Sequence, residues 1–294
     1  GLLIRRSQVR ILSGAPIIGD EQMINFTVNN LSPVLGAEMI GADLSHDIDD
    51  GDFDAIRQAW LDANGVMVFR DQDLTPDQHI AFSRRFGPLE KHVLATYLLP
   101  CYPEIYRVSN KVKDGVPQGR EKAGIYRHSD LSYMRPPAIA SLLYGIEIPP
   151  FGGDTMFCSL YAAYDALSDA MKDMIDGLVA MHDFGFASKG VFYGEARGDQ
   201  VEATPAVEHR VVKTHPETGR KLLFVNPGFT SHIVRFNPSE SRALLEFLFA
   251  HMTQPEFIYR HRWQTRDLIL WDNRCTMHYA IADYDGIGER YMHR

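Results

Sequence analysis

Apolar and polar positions along this chain follow two different periods, and the change of period divides it. Between residues 50 and 90 the spacing is helical. "DFDAIRQAWLDANG" sets Phe53, Ile56, Trp60 and Leu61 on one face and stops near Gly65, and "TPDQHIAFSRRFG" has Thr75 as N-cap, Pro76 at the first helical position and Gly87 as its end. Between them "GVMVFRDQ" predicts a buried strand. After Gly124, apolar runs recur at short spacing: "AIASLLYGIEIP", "DTMFCSL", "GLVAMHDF", "EHRVVKTH", "RKLLFV", "EFIYRHRW", "DLILWDN" and "RYMHR". Runs of this length between turn residues predict the strands of a sandwich or barrel. One helix interrupts them, "NPSESRALLEFLFAHMTQ", with Asn237 or Ser239 as cap and Leu244, Leu245, Leu248 and Met252 facing inward. The expected fold is mainly β with flanking α. Two polar, glycine-containing stretches, 109–124 and 187–204, fit neither period and predict lids or plain surface loops.

Composition narrows the class. With 45% hydrophobic residues in 294, the chain can bury a large core, and a single domain over 23–294 is expected, as a homo-oligomer (dimer or tetramer). A net charge of −8 without a block of like charge argues against nucleic acid or a membrane as partner. No apolar run approaches the roughly 18 residues that span a bilayer. Cys101, Cys158 and Cys275 are odd in number and unpatterned, which is the usage of a reducing compartment, and the expected location is cytoplasmic. Residues 1–22, opening "GLLIRRSQVRILSGAP", carry Arg5, Arg6 and Arg10 with no acid before Asp20. They are expected to be a non-native or disordered extension ahead of a natural start at Met23, a transit peptide being the alternative.

Candidate chemistry begins with histidines. Twelve His and 38 acidic residues make about one to two His-x-acid triplets expected by chance, and two occur. His215-Pro216-Glu217 lies in "VVKTHPETGRKLLFV", where apolar runs flank Pro-Glu-Thr-Gly, so it reads as a hairpin turn. His128-Ser129-Asp130, in "YRHSDLSY", leads into the strand-rich region. If extended, residues two apart project from one face about 6.6 Å apart, which lets imidazole and carboxylate converge on one ion. The candidate third ligand is His278 in "LILWDNRCTMHYAIADY", although taken alone it reads equally as a core or surface histidine. Two imidazoles and one carboxylate leave three open positions, which suits non-haem Fe(II) oxygen chemistry. "GERYMHR" then puts Arg290 and Arg294 on the same face of a strand. Buried guanidiniums need anions, and their planar fork matches carboxylate or sulfonate. The alternative is a pair of outward arginines on an edge strand.

Taken together, "GAEMIGADLS", "VMVFRDQDLTPDQ", "RFGPLEKH", "HSDLSY", "GGDTMFCSLYAAYDALS", "THPETGRKLLFVNPGFT" and "WDNRCTMHYAIADY…RYMHR" resemble the taurine dioxygenase (TauD/TfdA) family of Fe(II)- and 2-oxoglutarate-dependent dioxygenases, from about Met23 to Arg294. The resemblance implies a double-stranded β-helix (jelly-roll) flanked by helices. It also implies iron ligands His128, Asp130 and His278, with Thr155 and Arg290 on the far carboxylate of 2-oxoglutarate. Arg294 would hold the anionic head of the substrate, and His92 and Phe229 would line its pocket. The reaction implied consumes O2 and releases succinate and CO2 while hydroxylating a small anion, a sulfonate, alkyl sulfate or aryloxyalkanoate, often with C-S or C-O cleavage to follow. Ala95 and Gly124 stand where the taurine enzyme has a tyrosine and an asparagine, so a roomier pocket and a substrate larger than taurine are expected. Relatives run on past the position of Arg294, and a truncation there is expected. The alternatives are a taurine dioxygenase proper, a non-catalytic metal-binding jelly-roll protein, or a zinc hydrolase.

Overall fold

The computed structural model describes residues 26–92, 94–189 and 198–294. Residues 1–22, and the middle of the stretch 187–204, lie outside them.

Among the described residues, the chain is mainly β. Its largest sheet has eight strands, in spatial order Thr27–Asn30 (β1), Ala37–Ile40 (β2), Val66–Phe69 (β3), Leu268–Asp272 (β16), Ala140–Glu147 (β8), Tyr291–His293 (β18), Tyr102–Ser109 (β5) and Leu98–Leu99 (β4). Smaller sheets comprise Ile258–His261 (β15), Thr155–Ser159 (β9) and Thr276–Ala280 (β17); Val207–Arg210 (β11), Val179–His182 (β10) and Thr230–Ile233 (β14); the hairpin Val212–Thr214 (β12) with Lys221–Leu223 (β13); and Val112–Lys113 (β6) with Val116–Pro117 (β7). The last hairpin gives part of the 109–124 stretch a structure that its polar composition hides.

The two-residue period of β16 shows how the layers form. Leu268 and Leu270 pack outward with Met67, Phe69, Ile56 and Trp60, under helices Asp50–Asp62 (α1) and Pro76–Arg84 (α2). Ile269 and Trp271 point inward and share a core with Val66, Val68, Phe157 and Met292. Trp271 meets Phe157 of β9 at 5.6 Å, so β9 faces the large sheet. On the far side a third core joins Cys158, Met277, Leu222 and Val225 to helices Leu160–Asp165 (α3) and Pro238–Met252 (α7). Asp169–Ile175 (α4), Phe184–Lys189 (α5) and Gly198–Glu202 (α6) complete the helices.

The helix ends follow local chemistry. Thr75 caps α2 and Asn237 caps α7, each completing a capping box with the third helical residue and each followed by proline. Leu244, Leu245, Leu248 and Met252 are all buried.

Candidate metal and cosubstrate site

His128 and His278 are joined by their backbones. His128 N–H donates to His278 O at 3.0 Å and His278 N–H to His128 O at 2.8 Å, an antiparallel bridge between β17 and the loop ahead of β8. The paired positions bring both imidazoles to one face, with ring centroids 4.2 Å apart. Asp130, two residues on, turns its carboxylate to both: Oδ1 lies 3.4 Å from His128 Nε2, and Oδ2 lies 4.0 Å from His278 Nε2. All three residues are buried, and their donor atoms lie within 4.8 Å of one another.

Their surroundings prepare them as ligands. His128 Nδ1–H donates to the Tyr126 carbonyl at 2.8 Å, which leaves Nε2 its lone pair. His278 Nδ1 has no hydrogen-bond partner among the described residues. Burial, followed by His128, pushes His278 down to about 3, so it is a neutral imidazole. Burial alone would raise the Asp130 carboxyl, but Arg294 foremost, with His278 and His128, holds it well below the usual range. Two imidazoles and an ionised carboxylate in a buried pocket suit a divalent cation.

Two residues outside the sequence expectations hold Asp130. Asn273 Oδ1 accepts from Asp130 N–H at 3.2 Å and from Trp271 Nε1–H at 2.9 Å. Asn273 Nδ2 donates to Ser141 Oγ at 2.9 Å, and Ser141 donates to Asp130 Oδ2 at 2.8 Å. The only signal in the chain was a polar Asp-Asn pair ending its strongest apolar run.

Arg290 is 3% exposed, and among the described residues no carboxylate pairs with it. Its Nε–H has no acceptor, and its guanidinium sits 5.8–5.9 Å from the Tyr284 and Trp263 rings. Gly153 makes room: its φ is +69°, and a Cβ there would lie 3.2 Å from Arg290 Cδ. Trp263 Nε1–H donates to Thr155 Oγ1 at 3.0 Å, so this ring, also missed from sequence, touches both residues. Thr155 pairs with Ala280, two positions along the same strand face from His278. A buried cation without an anion is costly, and a ligand carboxylate is what this corner lacks.

Arg294 shares its strand face with Arg290. Its guanidinium donates to Asp130 Oδ1 at 2.9 Å and lies 5.2 Å from the Tyr106 ring. His92 stacks on the other side of the same neighbourhood, 4.1 Å from Tyr106. Arg294 and His92 line a cavity of about 380 Å³ together with Tyr106, Asp130, Leu131 and Met134. The cavity runs on beyond the end of β18, between β8 and β5, to His79 and Ile80 of α2.

Other expectations fall differently. Phe229 is 2% exposed and packs behind the metal group, 5.9 Å from the His128 ring, rather than on the cavity wall. Ala95 is exposed in the turn Ala95–Tyr97 and is absent from the wall, so its small side chain does not enlarge the cavity. Gly124 is small for a backbone reason: its φ is +77°, and a Cβ would meet His128 Cε1 at 3.3 Å.

His215 is in the β12–β13 turn, yet buried. With Asp272 and Cys275 it forms a second cluster of possible metal donors. Here the donors are already used. His215 Nδ1 accepts from Glu217 N–H and Thr218 N–H, and Nε2–H donates to Asp272 Oδ2 at 3.1 Å. Arg274 donates to both Asp272 oxygens, at 2.9 and 2.6 Å. The cluster ties the hairpin to β16.

Residues 27–294 match the family described as taurine catabolism dioxygenase TauD, TfdA family. The alpha-ketoglutarate-dependent 2,4-dichlorophenoxyacetate dioxygenase of Cupriavidus pinatubonensis is 39% identical over 284 residues, covering 92% of this chain and 97% of that protein. A taurine dioxygenase structure from Burkholderia xenovorans is 36% identical with a TM-score of 0.76, over 91% of this chain and 87% of that one. The structure of AAD-2 in complex with Mn(II) and N-oxalylglycine is 33% identical with a TM-score of 0.79, over 91% and 94%.

Proposed function

The chain belongs to the TauD/TfdA family of alpha-ketoglutarate-dependent dioxygenases, and from that premise we propose that His128, Asp130 and His278 hold Fe(II) while Arg290 and Thr155 receive the far carboxylate of 2-oxoglutarate. The observation that carries this reading is a buried two-histidine, one-carboxylate group together with a buried arginine that makes no ion pair among the described residues. When bound, the metal and cosubstrate supply oxidation by O2, with succinate and CO2 as products. The fold is read as a jelly-roll, one domain over 23–294, with the site between its sheets.

The chain's own residues then have distinct tasks. Asp130 and the two imidazoles present three donors on one side and leave the other open. Arg290 and Thr155 orient the diacid from a dry corner, and Trp263 fixes the Thr155 hydroxyl. Arg294 pairs with Asp130, and it exchanges that partner for the substrate's anionic head once a cation occupies the carboxylate. Tyr106, Leu131 and Met134 beside it favour an anion with an apolar tail. An aryloxyalkanoate, alkyl sulfate or longer sulfonate fits better than taurine, which has no tail to bury against those apolar side chains.

The test is succinate release with Fe(II), 2-oxoglutarate and O2 against a panel of aryloxyalkanoates, alkyl sulfates, alkyl sulfonates and taurine. The expected result is O2-dependent turnover fastest with an apolar-tailed anion. Taurine superior by tenfold in kcat/KM would defeat the substrate reading, and no turnover with any member would defeat the whole.

A further inference from the structure

A second cavity, of about 490 Å³, opens on the far side of the loop that carries the metal group. Its walls are the end of α4 at Asp176, strands β11, β12 and β13, and Arg135. Four cationic side chains reach it: Arg135, Arg210, Lys213 and Lys221. Two carboxylates offset them in part. Asp176 lies 3.9 Å from Lys221, and Glu208 occupies the rim, where Arg135 donates to its backbone carbonyl. Among the described residues Arg135, Arg210 and Lys213 have no ion-pair partner.

Lys213 is the central group. Its ammonium is half-buried, 3.5 Å from the centre of the Phe224 ring, and donates to His209 Nδ1 at 3.0 Å. His209 in turn donates from Nε2 to the Met134 carbonyl at 3.2 Å, so the imidazole is a neutral acceptor held in place. The ring and the imidazole fix the lysine without neutralising it. Burial, followed by the positive charge of Arg135, pushes Lys213 down to about 8. The cation is thus kept in a place that disfavours it, with the Arg135 charge acting on it and Arg210 on the wall of the same cavity.

We propose that this cavity is a binding site for a doubly charged tetrahedral oxyanion, sulfate or phosphate, held by Lys213, Arg135 and Arg210. Such an ion accepts hydrogen bonds from several directions at once and relieves the repulsion between the cations. Its site is separate from the cosubstrate corner, because Arg290 and Arg294 are absent from the walls. The two cavities share one stretch of chain: Met134 faces the first and Arg135 the second.

Calorimetric titration with sodium sulfate, at ionic strength held constant with sodium chloride, tests the site. One sulfate should bind the unmodified protein, and saturating 2-oxoglutarate should leave that binding unchanged. Lys213→Met keeps the packing on Phe224 and should weaken sulfate by about tenfold or more, as should Arg135→Gln, whereas Lys213→Arg should bind within a few-fold of the original. Affinity should fall as pH rises through about 8, where free Lys213 loses its proton. Near-ultraviolet circular dichroism matched across the variants confirms that each is folded. Sulfate binding no better than chloride, binding abolished by 2-oxoglutarate, or undiminished binding by Lys213→Met would each overturn the proposal.

Discussion

Replacing Arg290 by methionine should raise stability and weaken cosubstrate binding at the same time. Without 2-oxoglutarate the guanidinium is a 3% exposed cation that makes no ion pair among the described residues, with Asp154 acting on it only at longer range. Exchanging buried charge for an apolar side chain of similar volume commonly gains about 1–4 kcal/mol. The Trp263 and Tyr284 rings, at 5.9 and 5.8 Å, return roughly 0.5–2 kcal/mol of that to the arginine. A net gain of about 1–2 kcal/mol in urea unfolding is therefore expected for the variant without ligand. With 2-oxoglutarate the sign reverses, because the ligand's buried carboxylate loses its partner at a cost of about 2–5 kcal/mol. That corresponds to a roughly 30-fold to several thousand-fold higher 2-oxoglutarate requirement for succinate release. A variant less stable than the parent without ligand would show that Arg290 is already satisfied by the protein. An unchanged 2-oxoglutarate requirement would remove it from the cosubstrate site.

Asn273→Ala should weaken Mn(II) binding by about 10–100-fold in calorimetry, since Asp130 loses its backbone acceptor and the link through Ser141; an unchanged affinity would sink that role. His215→Ala and Glu217→Ala should leave Mn(II) affinity unchanged, while His215→Ala lowers unfolding stability by about 1–3 kcal/mol because buried Asp272 loses a donor. A loss of metal by either variant would reassign the site. Fully buried His182 is pushed down to about 3 by burial, below its unfolded value of about 6.5. Its contribution is present above about pH 6.5 and is lost as pH falls from there towards 3, at up to about 1.4 kcal/mol per unit. His182→Gln should reduce the slope of unfolding free energy against pH in that window by one proton, and an equal slope would mean that the imidazole protonates in the folded state.

Local chemistry was legible wherever a short stretch determines its own structure. The caps Thr75 and Asn237, the inward face of α7 and the turn between β12 and β13 all follow from neighbours within a few residues. The candidate triplet of His128 and Asp130 shares its spacing with His215 and Glu217, so it was separated by its surroundings and not by the spacing itself. The burial of His215 was not legible, since a turn signal says nothing about what packs over it. Asn273 and Trp263 act through partners that β-pairing brings from 108 to 143 residues away, and no local pattern encodes such pairings. Ala95 shows the converse: aligning a residue with a pocket position did not reveal which way its turn faces.

The backbone bridge between His128 and His278 also has a kinetic meaning. Its two hydrogen bonds close a span of about 150 residues containing most of the strands, and a loop that long is costly to close before those strands have condensed. The donor pair therefore comes together late in folding. On the proposed assignment, a metal ion arriving early would find only Asp130 and one imidazole within a few residues of each other. It would fasten a structure already built, so its effect should fall on how slowly the protein unfolds rather than on how fast it folds.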